Sequence, residues 1–256
     1  MQQNQTENKT NNNNTKVFKE LEDSSSFASK INEMFLLQKK LNDNTNGLNW
    51  ELCVNKFGKE INWLRCIHME VAELIESTPW KHWKNISSDS DLENIKIELV
   101  DIWHFIMSYL LQETNIPQAV KLTNDLCRYE VNPKDSVDIA SLVTASEQLS
   151  FISLSIQTGN TSSQATNEML ISQFFKTCKI AGLSFSTLQK MYIGKNCLNK
   201  FRQDNGYKEG TYKKIWIYSN VSEEDNVAMM KIIERSENIS FDAVYQELET
   251  VYKSTK

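Results

Sequence analysis

The sequence is poor in the residues that form tight turns, since only 7 glycines and 3 prolines occur in 256 residues. An all-β sandwich or barrel places a turn signal about every 8–12 residues, and most of these signals are missing here. Apolar side chains recur instead three and four residues apart over long stretches, which is the spacing of an amphipathic helix. Composition and periodicity together predict an all-α fold.

Motifs for several common chemistries are also missing. Five cysteines are scattered without a C-x-x-C spacing, which argues against a zinc or redox centre and favours reduced thiols in the cytoplasm. The patterns G-x-x-x-x-G-K-[ST], G-x-G-x-x-G and G-x-S-x-G do not occur. We therefore expect neither a P-loop, nor a dinucleotide-binding fold, nor a serine nucleophile.

Long apolar runs are absent as well. No run reaches the roughly 18 apolar residues that a membrane-spanning helix needs, and no charged-then-apolar leader opens the chain. The sequence therefore predicts a soluble cytoplasmic protein that carries neither a membrane segment nor an export signal.

Charge is unevenly distributed along the chain. The net charge is −5, which argues against general affinity for nucleic acid. Residues 195–214 nevertheless hold six basic and two acidic side chains. A basic segment in an acidic protein that also offers clustered carboxylates fits a polyphosphate ligand, with metal ions on one side of it and cationic side chains on the other.

The chain divides into a polar tail and one domain. Residues 1–26 are rich in Asn, Gln, Thr and Ser, and such a segment cannot bury enough apolar surface to offset its ordering entropy. We expect a disordered tail over 1–26 and a single domain over 27–256. The predicted helices are Ala28–Asn42, Ile61–Ser77, Asp91–Gln112, one around Gln118–Tyr129, Val137–Gln157, Glu168–Ala181, Phe185–Phe201 and one or two within 223–254.

Two pairs of carboxylates carry the strongest chemical signal. Glu70 and Glu73 lie three residues apart, and so do Glu98 and Asp101; residues three apart share one side of a helix. If the two helices pack together, the four acids meet, and two charges about 5 Å apart repel by roughly 3 kcal/mol at an effective dielectric constant near 20. A solvated acidic face is the simpler alternative, but a site for Mg²⁺ or Mn²⁺, which prefer oxygen ligands, accounts for both pairs.

Other candidate residues stay ambiguous on spacing alone. Gln38 and Asn42 share a helix face, either solvated or directed into a site. His104 follows Asp101 by three residues and faces the carboxylate side, where a lone histidine more often packs or forms a hydrogen bond than binds a metal. The loop after Phe201 has two Gly-containing turn signals and several lysines. It either folds over phosphates or is simply solvated.

Four segments give the chain a close resemblance to a known family. They are LLQKKLNDNTNGLNW at 36–50, HMEVAELIESTPWKHWK at 68–84, IKIELVDIWHF at 95–105 and YIGKNCLNKFRQDNGYKEGTYKKIW at 192–216. Together they resemble the dimeric all-α dUTPases of the all-α NTP pyrophosphatase superfamily, which also includes the MazG-like enzymes. E-x-x-E followed by E-x-x-D marks the superfamily, whereas the last segment resembles the dUTPase branch specifically.

The resemblance implies a helical bundle with a four-carboxylate metal site between two core helices. It implies hydrolysis of dUTP, and also of dUDP, to dUMP by attack of a metal-activated water on a phosphoanhydride, with two or three Mg²⁺ ions and a homodimer. By motif, the metal ligands would be Glu70, Glu73, Glu98 and Asp101, and Glu70 would position the water. The substrate-binding residues would be Gln38, Asn42, Trp83, His104, Phe105, Lys195, Asn199, Arg202, Tyr207, Lys208 and Lys214.

Two alternatives are compatible with the same residues. One is a related pyrophosphohydrolase for another nucleotide such as dCTP, because a few hydrogen bonds decide the choice of base. The other is a non-enzymatic helical protein that binds cations and uses the basic segment 195–214 to contact a partner.

Overall fold

The structure, a computed structural model, describes residues 26–83, 89–132, 135–159, 162–218, 221–236 and 239–254. Helices dominate these residues, so the prediction of an all-α fold is confirmed. The helices are α1 over 26–46, α2 (Trp63–Glu76), α3 (Leu92–Glu113), α4 (Ile116–Leu126), α5 (Ile139–Gly159), α6 (Gln164–Ile180), α7 (Phe185–Asp204), α8 (Asp225–Arg235) and α9 (Phe241–Lys253).

Helices α2 and α3 form a helical hairpin whose ends are fixed by capping side chains. The Asn62 side chain accepts a hydrogen bond from the Arg65 amide at the start of α2, and Asp91 does the same for Asn94 at the start of α3. The Asp91 amide donates to the Ser77 carbonyl across 3.0 Å. This bond joins the end of α2 to the start of α3, so the two predicted acid-bearing faces lie side by side.

The core around α3 is aromatic and aliphatic. The Trp103 ring stacks on Phe174 of α6 with 5.1 Å between ring centroids, and Phe35 of α1 meets it edge-on at 6.2 Å. Helix α2 packs against α3 and α5, while α3 also packs against α6 and α7. Helix α3 is therefore the central helix, with little freedom to move relative to its neighbours.

A short antiparallel hairpin interrupts the helices near the C-terminus. Strands β1 (Ile215–Tyr218) and β2 (Val221–Glu224) pair with Ile215 opposite Glu224. The sequence-based prediction placed a loop up to residue 216 and no strand, and it was wrong at this point. A four-residue strand is too short to give a clear period, and its main packing contact is the buried Trp216, which meets Phe201 of α7 at 5.7 Å.

Helix boundaries differ from the predicted ones by a few residues. One shift of four residues is at the start of α6, which begins at Gln164 and not at Glu168. Ser163 and Thr166 form a capping box there, and this stabilises a first turn whose polar composition resembles a loop. Helix α1 is already present at residue 26, the last residue of the predicted tail over 1–26, while the rest of that tail lies outside the described residues. The single domain over 27–256 stays a prediction.

Candidate metal centre and adjoining cavity

Carboxylates from α2 and α3 converge as the spacing predicts. Glu70, Glu73 and Glu98 each offer a carboxylate oxygen, and these oxygens all lie within 4.8 Å of one another. Glu98 is buried, whereas Glu73 is exposed, so the group faces solvent on one side. Oxygen ligands with an open side fit a hard cation such as Mg²⁺, which keeps several of its waters when bound.

The raised pKa values of two of these acids also fit a cation-binding site. Burial raises the pKa of Glu70, and repulsion by Asp101 and Glu98 raises it further, to about 8. Burial likewise raises the pKa of Glu98, to about 7, with repulsion by Asp101 as the next cause. The folded chain thus holds protons on acids that are ionised in water at neutral pH. A divalent cation would replace these protons. We refer to Glu70, Glu73, Glu98 and Asp101 as the acid cluster.

Asp101 connects the acid cluster to α7. Its Oδ2 lies 2.8 Å from the Nζ of Lys195, and both side chains are largely shielded from solvent. Lys195 therefore supplies the nearest positive charge to the cluster in this arrangement. The sequence suggested Lys195 as a phosphate contact, and the structure places it against a predicted metal ligand.

Asn94 is a residue that the sequence-based prediction missed. Its Nδ2 donates to Glu98 Oε1 across 3.0 Å and to Ser77 Oγ across 2.8 Å. Side chains that hold a ligand in this way fix its orientation and tune its basicity. The signal was present in the sequence, because Asn94 lies four residues before Glu98 and so shares its helix face.

A cavity of about 260 Å³ lies beside the acid cluster, with Asp101 in its wall. Helices α1, α2, α3 and α7 enclose it together with the segment that follows α7. Seven of the predicted substrate-binding residues line it, and they come from three separate sequence segments. They are Gln38, Asn42, His104, Phe105, Asn199, Arg202 and Tyr207.

A buried hydrogen-bond network forms one side of this cavity. Gln38 accepts from His104 Nδ1 across 2.7 Å, and its Nε2 donates to Asn42 Oδ1 at 3.1 Å and to Ser108 Oγ at 3.0 Å. Asn42 Nδ2 also donates to Ser108 Oγ, across 3.0 Å. The hydroxyl of Tyr192 lies 3.1 Å from Gln38 Oε1. Gln38 and Asn42, which we name the carboxamide pair, are therefore held in a single orientation.

His104 is kept neutral and in one tautomer. Burial, and then the charge of Lys195, lowers its pKa to about 3. Because Gln38 Oε1 can only accept, Nδ1 of His104 carries the ring proton. Nε2 is then an acceptor, and it has no hydrogen-bond partner among the described residues. The imidazole of this cavity-lining residue thus keeps a lone pair without a hydrogen-bond partner in the part of the chain that the structure describes.

Aromatic rings provide the apolar side of the cavity. Phe105 stacks on Trp63 with 6.0 Å between ring centroids, and Trp63 meets Trp50 edge-on at 5.7 Å. Trp63 lines the cavity, although the sequence-based prediction did not include it. Its spacing could have indicated this, because Trp63 lies seven residues before Glu70 and so about two turns earlier on the same face of α2.

The basic residues of α7 and of the segment after it differ in their exposure to solvent. Arg202 is half-buried and donates from Nη1 to Asn199 Oδ1 across 3.3 Å. Lys208 and Lys214 are exposed at the rim. Lys208 donates to the Thr45 carbonyl at the end of α1 across 3.3 Å. These two lysines therefore lie where they can approach a ligand only from the solvent side.

Trp83 does not reach the cavity in this structure, contrary to the expectation that it lines the nucleoside pocket. Its ring is 62% exposed and packs edge-on against Trp80 at 5.4 Å and against His82 at 4.9 Å. Contacts with its own loop hold Trp83 outside the residues that enclose the cavity.

Comparison with known proteins gives a family match. A family model described as dUTPase matches residues 30–207, which include the acid cluster and every cavity-lining residue named above. None of the curated proteins matches the chain.

Proposed function

Because the chain belongs to the dUTPase family and is a dUTP diphosphatase, we propose that it hydrolyses dUTP, and also dUDP, to dUMP in a Mg²⁺-dependent reaction. The observation that supports this proposal most directly is the location of Asp101. This residue belongs both to the acid cluster and to the wall of the cavity. A ligand in the cavity would therefore have its phosphates next to the metal-binding carboxylates.

The acid cluster would hold two or three Mg²⁺ ions, with Mn²⁺ as a substitute. Its four carboxylates are oxygen ligands, and three of them already lie within 4.8 Å of one another. When bound, Mg²⁺ would neutralise phosphate charge and lower the pKa of the attacking water. Asp101 would exchange Lys195 for a metal ion, and Lys195 would become available to a phosphate oxygen.

Glu70 is our choice for the residue that orients the water. Of the two acids with raised pKa values it is the less buried, and desolvation makes its carboxylate a stronger proton acceptor. In the proposed reaction water attacks the phosphoanhydride between the α- and β-phosphates and gives a proton to Glu70, the phosphorus–oxygen bond at the bridging oxygen breaks, and dUMP and pyrophosphate are released. With dUDP the second product is phosphate.

His104 would select the base. Uracil carries a proton on N3, and the lone pair on His104 Nε2 is a matching acceptor, whereas N3 of cytosine is itself an acceptor. The carboxamide pair fixes the tautomer that makes this possible. A site whose buried polar group needs a partner rejects analogues that cannot supply one. Phe105 and Trp63 would pack against the base from the apolar side.

Size supports the division between nucleoside and phosphates. A cavity of about 260 Å³ lies just below the roughly 300–1,000 Å³ that is usual for small-molecule pockets. It would suit the nucleoside, with the phosphates at its edge beside Asp101 and Arg202, which both belong to its wall. Asn199, Tyr207, Lys208 and Lys214 would contact the sugar and phosphates there.

A nucleotide panel tests the proposal directly. Purified protein with Mg²⁺ would be given dUTP, dUDP, dCTP and dTTP, and release of pyrophosphate or phosphate would be followed. We expect turnover of dUTP and dUDP, and loss of turnover in Glu98→Gln while the helical circular dichroism signal persists. Equal turnover of dCTP or dTTP would assign the chain to a related pyrophosphohydrolase, and no turnover of any nucleotide would refute the proposed reaction.

We also propose a homodimer that covers the outer face of α5. This helix is long and apolar enough to cross a membrane by length and composition, yet only 33% of its apolar 18-residue stretch is buried. Phe151 on that face is 71% exposed. Helix α5 packs against α2 and α6 and so belongs to the helical core. A second copy of the chain is therefore a better partner for its outer face than lipid. Phe151→Glu should convert a dimer to a monomer in light scattering, and an unchanged mass would refute this interface.

The cytoplasmic location expected from the cysteine pattern stays a prediction. All five cysteines are free thiols, as the sequence suggested, but a free thiol does not identify a compartment.

A further inference from the structure

A buried lysine and a half-buried arginine of α7 share an oxygen atom that α8 supplies. Lys195 Nζ donates to Asn226 Oδ1 across 3.1 Å, and Arg202 Nη2 donates to the same oxygen across 3.3 Å. Lys195 and Arg202, which we name the cation pair, lie seven residues apart on α7 and thus about two turns apart on one face. Asn226 bridges them.

The neighbouring residue holds the guanidinium from a second side. Asp225 is 1% exposed and accepts from Arg202 Nε and Nη2, each across 2.8 Å. The hydroxyl of Tyr212 donates to Asp225 Oδ2, also across 2.8 Å. A two-pronged contact of this kind fixes the plane of a guanidinium group as well as its position.

A backbone hydrogen bond and close helix packing hold α8 in place. The Asp225 amide donates to the Lys214 carbonyl across 2.8 Å. Helix α8 also lies very close to α7 at Gly194, where an added Cβ would be 2.6 Å from Met229 Sδ and 2.9 Å from Ile233 Cγ2. The absence of a side chain at Gly194, next to Lys195, lets α8 dock at this distance.

We propose that Asp225 and Asn226 are positioning residues that orient the cation pair toward the phosphates of the substrate. Four of the five N–H groups of Arg202 are committed to Asp225, Asn226 and Asn199, which leaves one for a ligand. A guanidinium already held in place loses less conformational freedom when it binds a phosphate. The inference rests on the proposed function and extends the site beyond residue 207, where the family match ends.

Calorimetric titration with two probes tests this role. One probe is the α,β-imido analogue of dUTP, which carries phosphates but resists hydrolysis, and the other is deoxyuridine, which has none. With Mg²⁺ present, Asn226→Ala should weaken binding of the analogue by about tenfold, since hydrogen bonds to charged groups have effects of this size. Deoxyuridine binding should stay within about twofold of that of the unmodified protein.

Two further variants accompany Asn226→Ala. Asp225→Asn keeps the shape of the side chain but removes its charge, and it should show the same selective loss of analogue binding. Val227→Ala changes the next residue of α8, whose side chain is 40% exposed, and should leave both affinities unchanged. A melting curve of each variant verifies that it folds.

The possible results separate the interpretations. Equal weakening of the binding of both probes would indicate a purely structural role. Unchanged or tighter binding of the analogue would mean that α8 does not orient the cation pair productively. Either result overturns the inference. Failure of the unmodified protein to bind either probe is a different result. It would refute the proposed function, and this inference with it, whereas unmodified protein that binds both leaves that function standing whatever the variants do.

Discussion

The metal-free protein should lose stability as the pH rises above neutrality, because folding brings ionisable acids together without a cation. Burial and mutual repulsion raise the pKa of Glu70 from 4.5 to about 8. A carboxyl group whose pKa is higher in the folded state stabilises that state only while it keeps its proton, so its contribution is present at low pH and declines as the pH approaches 8.

The pH range in which the effect of Glu70 can be measured without that of His104 starts at pH 6.5. Burial lowers the pKa of His104 to about 3, so this side chain destabilises the folded state below about pH 6.5, where the unfolded chain takes up a proton. Above that pH its effect is constant. From pH 6.5 to 8.0, one proton held only by the folded state changes the free energy of unfolding by at most about 2 kcal/mol. Partial exposure of Glu70 to solvent reduces this to about 1 kcal/mol.

Melting temperature measured in EDTA tests this reasoning. A loss of about 1 kcal/mol should lower the melting temperature by about 2–4 °C in a chain of this size. In Glu70→Gln the decline should become smaller, whereas Glu130→Gln, which changes an exposed acid, should melt like the unmodified protein. Millimolar Mg²⁺ should raise the melting temperature most at pH 8, because the cation binds the ionised carboxylates.

Two results would contradict the reasoning. One is a melting temperature in EDTA that rises between pH 6.5 and 8.0. The other is a Glu70→Gln variant whose decline over that range equals that of the unmodified protein. Either result would mean that the acid cluster does not hold a proton in the folded state, and the electrostatic support for a metal site would be lost.

Three further substitutions test the surroundings of the site. Ser108→Ala leaves two buried amide donors of the carboxamide pair without their shared acceptor, so we expect a loss of about 2 kcal/mol in urea unfolding and a higher KM for dUTP. Asn94→Ala removes a donor to Glu98 and should weaken Mg²⁺ binding roughly tenfold by calorimetry. Gly194→Ala forces a Cβ against Met229 and should cost about 1–3 kcal/mol. Wild-type behaviour in any of these would contradict the contact concerned.

Local periodicity was sufficient to predict much of this structure. The convergence of Glu70, Glu73 and Glu98 follows from helical spacing and from the packing of α2 against α3, the next α-helix in the chain. The cap at Asp91 was equally visible, because a residue of this type directly before an apolar stripe marks a helix start. In both cases the residues that decide the outcome are close in sequence.

Contacts between distant segments could not be predicted in the same way. The ion pair between Lys195 and Asp101 depends on how α7 crosses α3, and no local pattern records that. The neutral tautomer of His104 likewise depends on Gln38, 66 residues earlier in the chain. Family resemblance identified these residues as candidates, but it did not indicate which of them contact each other.

Helix α3 carries both halves of the candidate site on one continuous backbone. Glu98 and Asp101 belong to the acid cluster, and His104 and Ser108 belong to the network beside the cavity. An α-helix rises about 1.5 Å per residue, so these four positions span roughly 15 Å along one axis. The helix therefore fixes the distance between the residues proposed to contact the phosphates and those proposed to contact the base of a nucleotide. One residue inserted within 98–108 would turn everything beyond it by about 100° and would separate base recognition from hydrolysis.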